Sequence, residues 1–302
     1  MMYFMKIVIA GGSGFVGQGL TDFYTQQGHE VIILTRKQSH RVGNVQYCQW
    51  LQPDAKPNEL LENADAFINL AGVSLNEGRW TDERKEAIFK SRMQATTEII
   101  RIIEDLENKP KVLVNASAVG IYPTSKAAVY TESSTQKSTD FLGRTVKKWE
   151  EIAKRAEAYG VRTVFTRFGV ILGSGGGALK LMAMPYDFYI GGKLGSGMQW
   201  VSWVHIDDVV GAIDFVISDD TISGPVNVTA PYPVRMEQFG KTIAEIKRKP
   251  HWFPTPAPLL KAALGEKSKM VLEGQNVKPT VLLEHGYTFH YPKLYDALSN
   301  LL

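Results

Sequence analysis

Lys6 to Gly17 reads KIVIAGGSGFVG, a short apolar run followed by glycines at positions 11, 14 and 17. A strand that ends in such a turn and leads into a helix presents free backbone N–H groups and the positive end of the helix dipole, which together favour a pyrophosphate. Gly11 permits a sharp turn, Gly14 the close approach of a phosphate, and Gly17 close packing of the helix on the sheet. A structural glycine turn is the alternative. The residues predicted to contact a dinucleotide here are Gly11, Gly12, Ser13, Gly14, Phe15, Val16 and Gly17.

Short apolar runs alternate with helical patterns up to about residue 170. The runs lie at residues 30–36, 45–50, 66–70, 111–115 and 161–168. Between them, apolar residues at three and four spacing predict helices over 81–106 and 140–159. This alternation predicts an α/β fold with a doubly wound parallel sheet.

The rhythm changes after residue 172, where glycine-rich pieces and short, proline-punctuated helical segments follow. Residues 1–172 are predicted to form a Rossmann-like domain that residues 206–229 complete, approximately. Residues 173–205 and 230–302 are predicted to form a smaller, mostly helical substrate lobe.

Composition excludes several classes of protein. The 302 residues are 44% apolar and 22% charged, and the net charge of +3 is spread among mixed-sign segments, so no nucleic-acid partner is predicted. The single cysteine, Cys48, permits no internal disulfide and is predicted to be a buried apolar group. The histidines lack the paired spacing of a zinc site, so no metal site is predicted. No signal peptide or membrane span is apparent, so we expect a cytoplasmic protein without a membrane partner.

Thr35, Arg36 and Lys37 follow the second predicted strand within TRKQSHR. NAD enzymes usually place an acidic residue there for the ribose 2′-hydroxyl, whereas NADP enzymes place an arginine for the 2′-phosphate. No acidic residue lies in this segment, and a guanidinium both binds phosphate and stacks on adenine. The segment therefore favours NADP(H) over NAD(H), with a solvated surface turn as the alternative.

The G-x-x-G-x-x-G spacing resembles that of the extended short-chain dehydrogenase/reductase superfamily. Five further segments are similar to the atypical group of it that is often labelled "epimerase family protein", which has a small C-terminal domain. They are FLGRTVKKWE, RFGVILGSGGGALK, GGKLGSGMQWVSWVHIDD, GPVNVTAPYPV and GQNVKPTVLLEHGYTF.

This resemblance implies the remaining site residues. Ser117 takes the place of the catalytic serine that polarises a substrate oxygen, and His205 is a second candidate, as a general base. Asp207 is instead expected to cap the following helix. The resemblance also implies cofactor contacts from Leu70, Ala71, Gly72, Arg92, Ser117, Phe168 and Leu172, and substrate contacts from Tyr122, Gln199, Trp200 and Trp203.

The superfamily's Tyr-x-x-x-Lys pair is absent. Phe141 and Thr145 stand at the two positions, and a phenyl ring cannot exchange a proton. Two hypotheses follow: an NADP-dependent oxidoreductase or epimerase acting on a small polar or nucleotide-linked substrate, or an NADP(H)-binding redox sensor that acts through a protein partner. By analogy with the superfamily, a homodimer is also expected.

Overall fold

The computed structural model of the chain describes residues 4–302. The strands, in chain order, are β1 (Lys6–Ala10), β2 (Glu30–Thr35), β3 (His40–Val42), β4 (Val45–Gln49), β5 (Ala66–Asn69), β6 (Val112–Ala118), β7 (Val129–Tyr130), β8 (Arg162–Phe168), β9 (Val170–Leu172), β10 (Trp200–Val201), β11 (Trp203–His205), β12 (Gly224–Val228), β13 (Val234–Arg235) and β14 (Asn276–Val277).

The helices lie between these strands and dominate the C-terminal part. They are α1 (Phe15–Gln26), α2 (Asn58–Leu61), α3 (Asp82–Asp105), α4 (Phe141–Ala153), α5 (Leu179–Asp187), α6 (Ile206–Ser218), α7 (Met236–Lys247), α8 (Ala257–Leu264), α9 (Lys269–Leu272), α10 (Thr280–Glu284) and α11 (Leu294–Leu301). Within residues 4–302, no helix is both long and apolar enough to cross a bilayer.

The main sheet has the strand order β12-β8-β6-β5-β1-β2-β4-β3 within the described residues. All neighbours pair in parallel except β3, which runs antiparallel to β4 at the edge. The order reverses between β1 and β5, and ligands of such sheets bind at this switch point, beyond the carboxyl ends of the strands. The predicted doubly wound α/β fold is confirmed.

Helices cover both faces of the sheet because side chains alternate along each strand. Ile7 and Ile9 of β1 join a core with α1 and α6. Val8, between them, joins a second core with α3 and α4 on the other face. The C-terminal part has a third core, in which Trp203 and Phe239 are completely buried. The domain boundaries given above stay a prediction.

Most predicted elements occur within a few residues of their expected bounds. Gly160 ends the segment that continues α4 at φ +78°, the left-handed conformation in which many helices end. Several elements were not predicted, among them β3 and α5. β3 is exposed and polar, and α5 lies in a segment that glycines flank on both sides. β6 also continues beyond its predicted end, so Ser117 lies in a strand and not in a loop.

Candidate cofactor and active site

The turn after β1 requires its glycines. Gly11 has φ +86°, and a Cβ there would lie 2.9 Å from the carbonyl carbon and oxygen of Leu70. A Cβ on Gly17 would lie 2.2 Å from the Gly11 carbonyl oxygen. Side chains at these two positions would push α1 away from the sheet, so the glycines fix where the helix begins.

The N-terminus of α1 is open to an anion. Gly14 is the N-cap residue and supplies no side-chain hydrogen bond, and the first turn contains no acidic residue. The Gly14 N–H donates to the Gly11 carbonyl at 3.0 Å. The helix dipole at this end is thus uncompensated, which suits a phosphate.

Gly12, Ser13, Phe15 and Val16 differ in their surroundings. A Cβ on Gly12 would lie 2.7 Å from the Ile33 side chain, whereas Ser13 is exposed. Val16 packs against the first core. The Phe15 ring is covered by the glycine-rich segment 173–177, where Cβ atoms on Gly173 and Gly176 would lie 2.3 and 2.8 Å from ring atoms. This segment therefore lies beside the start of α1.

Arg36 lies just beyond β2, the strand next to β1 on the side away from β5. It is exposed, and no hydrogen bond or ion pair joins it to another residue within 4–302. The Thr35 hydroxyl accepts a hydrogen bond from the Lys37 N–H at 3.2 Å, which shapes the turn. The guanidinium is therefore free to meet a ligand anion.

Arg92 on α3 packs across the segment that follows β5. A Cβ on Gly72 would lie 3.0 Å from Arg92 Cζ, so this glycine makes room for the guanidinium. Arg92 Nη1 donates to the carbonyls of Val73 and Ile88 at 3.2 and 3.0 Å. Burial, with a smaller contribution from the positive charge of Arg84, lowers the pKa of Arg92 to about 10. No carboxylate of residues 4–302 pairs with this cation.

A buried polar cluster holds the ends of β5 and β6 together. The Asn69 amide donates to Thr96 Oγ1 at 2.9 Å and to Asn115 Oδ1 at 2.7 Å. Trp149 Nε1 donates to the same threonine hydroxyl at 2.8 Å. Asn69 Oδ1 accepts from the Ala71 N–H at 3.2 Å, which fixes the Leu70–Gly72 backbone beside the glycine turn.

Ser117 faces Arg167 across the β6–β8 pair, and Glu150 of α4 binds both side chains. The Ser117 hydroxyl donates to Glu150 Oε1 at 2.5 Å. Arg167 donates to both Glu150 oxygens, from Nε and Nη2, at 2.8 Å each. Burial alone would lower the pKa of Arg167, but the hydrogen bonds and the charge of Glu150 raise it above its ordinary value.

Tyr122 extends this network. Its hydroxyl accepts from Arg167 Nη1 at 2.8 Å and donates to Asn227 Oδ1 at 2.9 Å. The side chain is completely buried, and burial raises the pKa of Tyr122. The predicted substrate contact of Tyr122 is therefore corrected: its hydroxyl is satisfied inside the protein and links β8 to β12.

The positions of the absent Tyr-x-x-x-Lys pair carry no exchangeable proton toward a ligand. The Phe141 ring packs edge-on against Trp80, with 5.9 Å between ring centroids. Thr145 is buried, and its hydroxyl donates to the Phe141 carbonyl at 2.8 Å.

His205 does not lie open to a substrate. Its Nδ1 accepts the Asp207 N–H at 3.1 Å, so His205 caps α6 and the predicted cap role of Asp207 is wrong. Its Nε2 lies 3.2 Å from Asn300 Oδ1, and the ring stacks on Tyr291. Burial lowers the pKa of His205. With both nitrogens engaged in the interior, the general-base role is not supported.

Two predicted substrate contacts belong to the C-terminal core. Gln199 is buried and donates to the carbonyls of Leu194 and Val271. Trp203 is completely buried and donates to the Tyr232 carbonyl at 3.2 Å. Both predictions are corrected, because packing within this part of the chain accounts for the side chains. Trp200 is partly exposed beneath Arg235, whose guanidinium lies 3.7 Å from its ring centroid.

Phe168 and Leu172 lie on either side of a bend between β8 and β9. Phe168 is partly buried against the first core. Leu172 is completely buried in the third core, so its predicted contact with a cofactor is corrected. Gly169 at the bend allows close packing, since a Cβ there would lie 2.3 Å from the Ser202 carbonyl oxygen.

Glu150 and Arg167 are the site residues that sequence reasoning missed. The signal available was an arginine near the end of the strand VRTVFTRF, since a buried arginine needs a buried acceptor. The segment WEE supplies that acceptor one helix away.

Three other observations concern parts of the chain away from the site. Within the described residues, no cluster of three or more His, Cys, Asp or Glu side chains is placed to hold a metal ion. Cys48 is buried as predicted, and burial raises its thiol pKa to about 11. A cavity of about 520 Å³ adjoins Lys6 and Glu30, where β1 and β2 begin, at the amino ends of the strands and opposite the glycine turn.

The parallel sheet, its switch point and the glycine turn define a dinucleotide-binding protein of the Rossmann type. The family model of the NAD dependent epimerase/dehydratase family matches residues 7–229, and the chain belongs to that family. A second family model, Domain of unknown function (DUF1731), matches residues 255–301. The resemblance to the atypical extended short-chain group is thereby confirmed.

Relatives match over nearly the whole chain. Epimerase family protein YfhF of Bacillus subtilis is 47% identical over 299 residues, which are 99% of this chain and 98% of that protein. The structure of human epimerase family protein SDR39U1 (isoform2) with NADPH is 30% identical, with a TM-score of 0.87 over 98% of this chain and 99% of that one. A nucleoside-diphosphate sugar epimerase from Corynebacterium glutamicum is also 30% identical, with a TM-score of 0.78 over 98% of this chain and 58% of that one.

Proposed function

We propose that this protein binds NADP(H) and acts as an oxidoreductase or epimerase on a small polar or nucleotide-linked substrate. The observation that carries the proposal is Arg92, a largely buried cation with no protein carboxylate beside it. Its Nη1 bonds only carbonyl oxygens and its Cζ lies 5.1 Å from the Trp149 ring centroid, so no negative charge offsets the cation and an anionic ligand is its natural partner. The open N-terminus of α1 offers backbone donors to the same ligand.

The preference for NADP(H) over NAD(H) rests on Arg36. Its guanidinium is exposed and unpaired beyond β2, and the segment Thr35–Arg41 contains no acidic residue for a ribose hydroxyl. The human relative was solved with NADPH, which supports the same preference.

When bound, the nicotinamide would supply the hydride chemistry. The chain's own contribution centres on Ser117, at the carboxyl end of β6. The Ser117 hydroxyl donates its hydrogen to Glu150, so the Ser117 oxygen is left with its lone pairs and accepts a hydrogen bond from a substrate hydroxyl. Donation to a carbonyl oxygen would require the hydroxyl to rotate away from Glu150.

Titration of the purified chain with NADPH and NADH, followed by nicotinamide fluorescence, tests the cofactor proposal. We expect Arg36→Ala to weaken NADPH binding about tenfold or more and NADH binding less, because both cofactors offer adenine for stacking but only NADPH carries the 2′-phosphate. Arg155→Ala, which removes an exposed arginine from the segment after α4, is the matched control. Equal losses for both cofactors would rule out the 2′-phosphate role.

A redox sensor without catalysis is the second candidate. It is favoured by Phe141 and Thr145, which supply no acid or base, and by the Ser117 hydroxyl, whose hydrogen is already donated to Glu150. Incubation with NADPH and nucleotide sugars, aldehydes or ketones separates the two functions: turnover supports the enzyme. A set of co-purifying proteins that differs between NADP and NADPH supports the sensor. A cytoplasmic location, a homodimer and the absence of a nucleic-acid partner stay predictions.

A further inference from the structure

Helix α5 is apolar on its exposed face as well as its buried one. Leu179, Ala183 and Tyr186 are buried in the C-terminal core. Leu181, Met184 and Phe188 follow the spacing i, i+3, i+7 and form a stripe that points to solvent. A surface helix normally places polar residues there, whereas α5 exposes large apolar residues beside the charged Lys180 and Asp187.

Two aromatic segments continue the stripe. Tyr189 and Ile190 follow α5, and Trp252 and Phe253 follow α7. The Trp252 and Phe253 N–H groups both donate to the Gly191 carbonyl, at 3.0 and 3.2 Å, and Trp252 Nε1 donates to the Tyr189 carbonyl at 2.9 Å. These bonds join the two segments. We call the stripe and the two segments together the apolar surface. Its seven side chains are between 46% and 69% exposed.

A basic run borders the apolar surface. Lys247, Arg248 and Lys249 lie two residues before the Trp252 segment, and Lys249 Nζ lies 3.8 Å from the centroid of the Tyr189 ring. Asp187, the acidic residue of α5, is already paired with Lys247 at 2.6 Å. Arg248 and Lys249, which have no acidic partner among the described residues, therefore carry the positive charge at this border.

An occupant must be apolar at its centre and anionic at its margin. A second copy of the chain would bring an identical basic run toward the first across a twofold axis, which like charges oppose. Nucleic acid offers negative charge but nothing that needs exposed Leu, Met and Ile side chains. The interface of an anionic bilayer offers both, and exposed aromatic residues next to lysines and arginines are typical of interfacial binding.

We propose that the apolar surface and the Lys247–Lys249 run seat the protein peripherally on an anionic phospholipid membrane. The expectation of no membrane partner was based on spanning segments alone, and an interfacial surface needs none. The apolar side chains enter the headgroup region, and the basic run contacts lipid phosphates. This function is independent of cofactor binding, because neither Arg36 nor Arg92 takes part.

Sedimentation with vesicles tests the proposal. We expect the protein to sediment with vesicles of phosphatidylcholine and phosphatidylglycerol, to stay free with phosphatidylcholine alone, and to be released by salt. Arg248→Gln with Lys249→Gln should weaken binding roughly 25-fold, since each cation near an anionic bilayer contributes about fivefold. Phe188→Ser with Trp252→Ser should weaken it about tenfold or more. Phe4→Ser is the matched control, because Phe4 in the first part of the chain is 62% exposed and Trp252 is 63% exposed.

Tryptophan emission gives a readout that needs no variant. Trp252 is the strongly exposed member of the six tryptophans, so a blue shift on adding anionic vesicles reports its transfer from water. Unchanged NADPH affinity in each variant shows that the fold and the cofactor site persist. Failure to sediment with anionic vesicles at low salt overturns the proposal. So does a dimer that Trp252→Ser converts to monomer, since the surface would then be a contact between copies.

Discussion

Glu150→Gln tests the buried network at the carboxyl ends of β6 and β8. The substitution keeps the size of the side chain but removes its charge and turns one acceptor oxygen into a donor amide. Arg167 then stays in place, with 4% of its surface exposed, without a counter-charge. One of its two 2.8 Å hydrogen bonds to the carboxylate also loses its acceptor.

The expected cost is large. Removing one partner of a buried ion pair costs about 3–5 kcal/mol, because the remaining charge has been taken from water without compensation. Among the described residues, the one hydrogen-bond partner of the Ser117 hydroxyl is Glu150 Oε1. In the variant, this hydroxyl keeps its acceptor only if the amide oxygen, and not the amide nitrogen, takes that position. Since domains of this kind are stable by about 5–15 kcal/mol, Glu150→Gln should remove a substantial fraction of the free energy of unfolding.

Urea unfolding followed by tryptophan fluorescence measures this loss. Arg167→Gln and the double variant complete a double-mutant cycle, in which two facing amides can bond each other. We expect the double variant to be more stable than the sum of the single losses predicts, by about 2 kcal/mol or more. Strictly additive losses, or a cost of Glu150→Gln below about 1 kcal/mol, would refute the reasoning.

Three further predictions concern the cofactor cradle and α6. Gly17→Ala should abolish measurable NADPH binding and destabilise the fold by about 2 kcal/mol or more, because its Cβ meets the Gly11 carbonyl oxygen at 2.2 Å. Gly19→Ala on the same helix is the control. Equal losses of NADPH binding and stability in the two variants would contradict the argument. Arg92→Met should raise the melting temperature of the ligand-free protein while weakening NADPH binding about tenfold, and a loss in both would mean that the cation is structural. Burial lowers the pKa of His205 below its unfolded value of about 6.5, so the unfolded chain binds the extra proton first and stability falls as pH drops through that value. His205→Asn keeps the cap, and an unchanged pH slope of the unfolding free energy in that variant would exclude this linkage.

The glycine turn was predictable because its cause is local. The positive φ of Gly11 and the contact between Gly17 and the Gly11 carbonyl arise within a few residues, and Arg36 was recognised by its place after a strand. The doubly wound sheet was equally accessible, since strand and helix periods alternate plainly in the sequence.

The network around Ser117 was not predictable, because it joins distant parts of the chain. Tyr122 bonds Arg167, 45 residues away, and Asn227, 105 residues away. The sequence pattern ended this strand at residue 115, whereas β6 continues to Ala118, and both Ser117 within it and Tyr122 beyond it are buried. The cap of α6 was displaced by two residues for a related reason, since burial of His205 depends on α11 and Tyr291.

The contact between Phe15 and segment 173–177 constrains how members of this family can be recombined. The ring belongs to the nucleotide-binding turn, while the glycines that surround it begin the C-terminal part, and two of them leave no room for a Cβ. A chimera that took residue 15 from one parent and the loop from another would join surfaces shaped for different partners. Exchanges that respect this fold therefore carry Phe15 and the glycine segment together, even though some 160 residues separate them in the sequence.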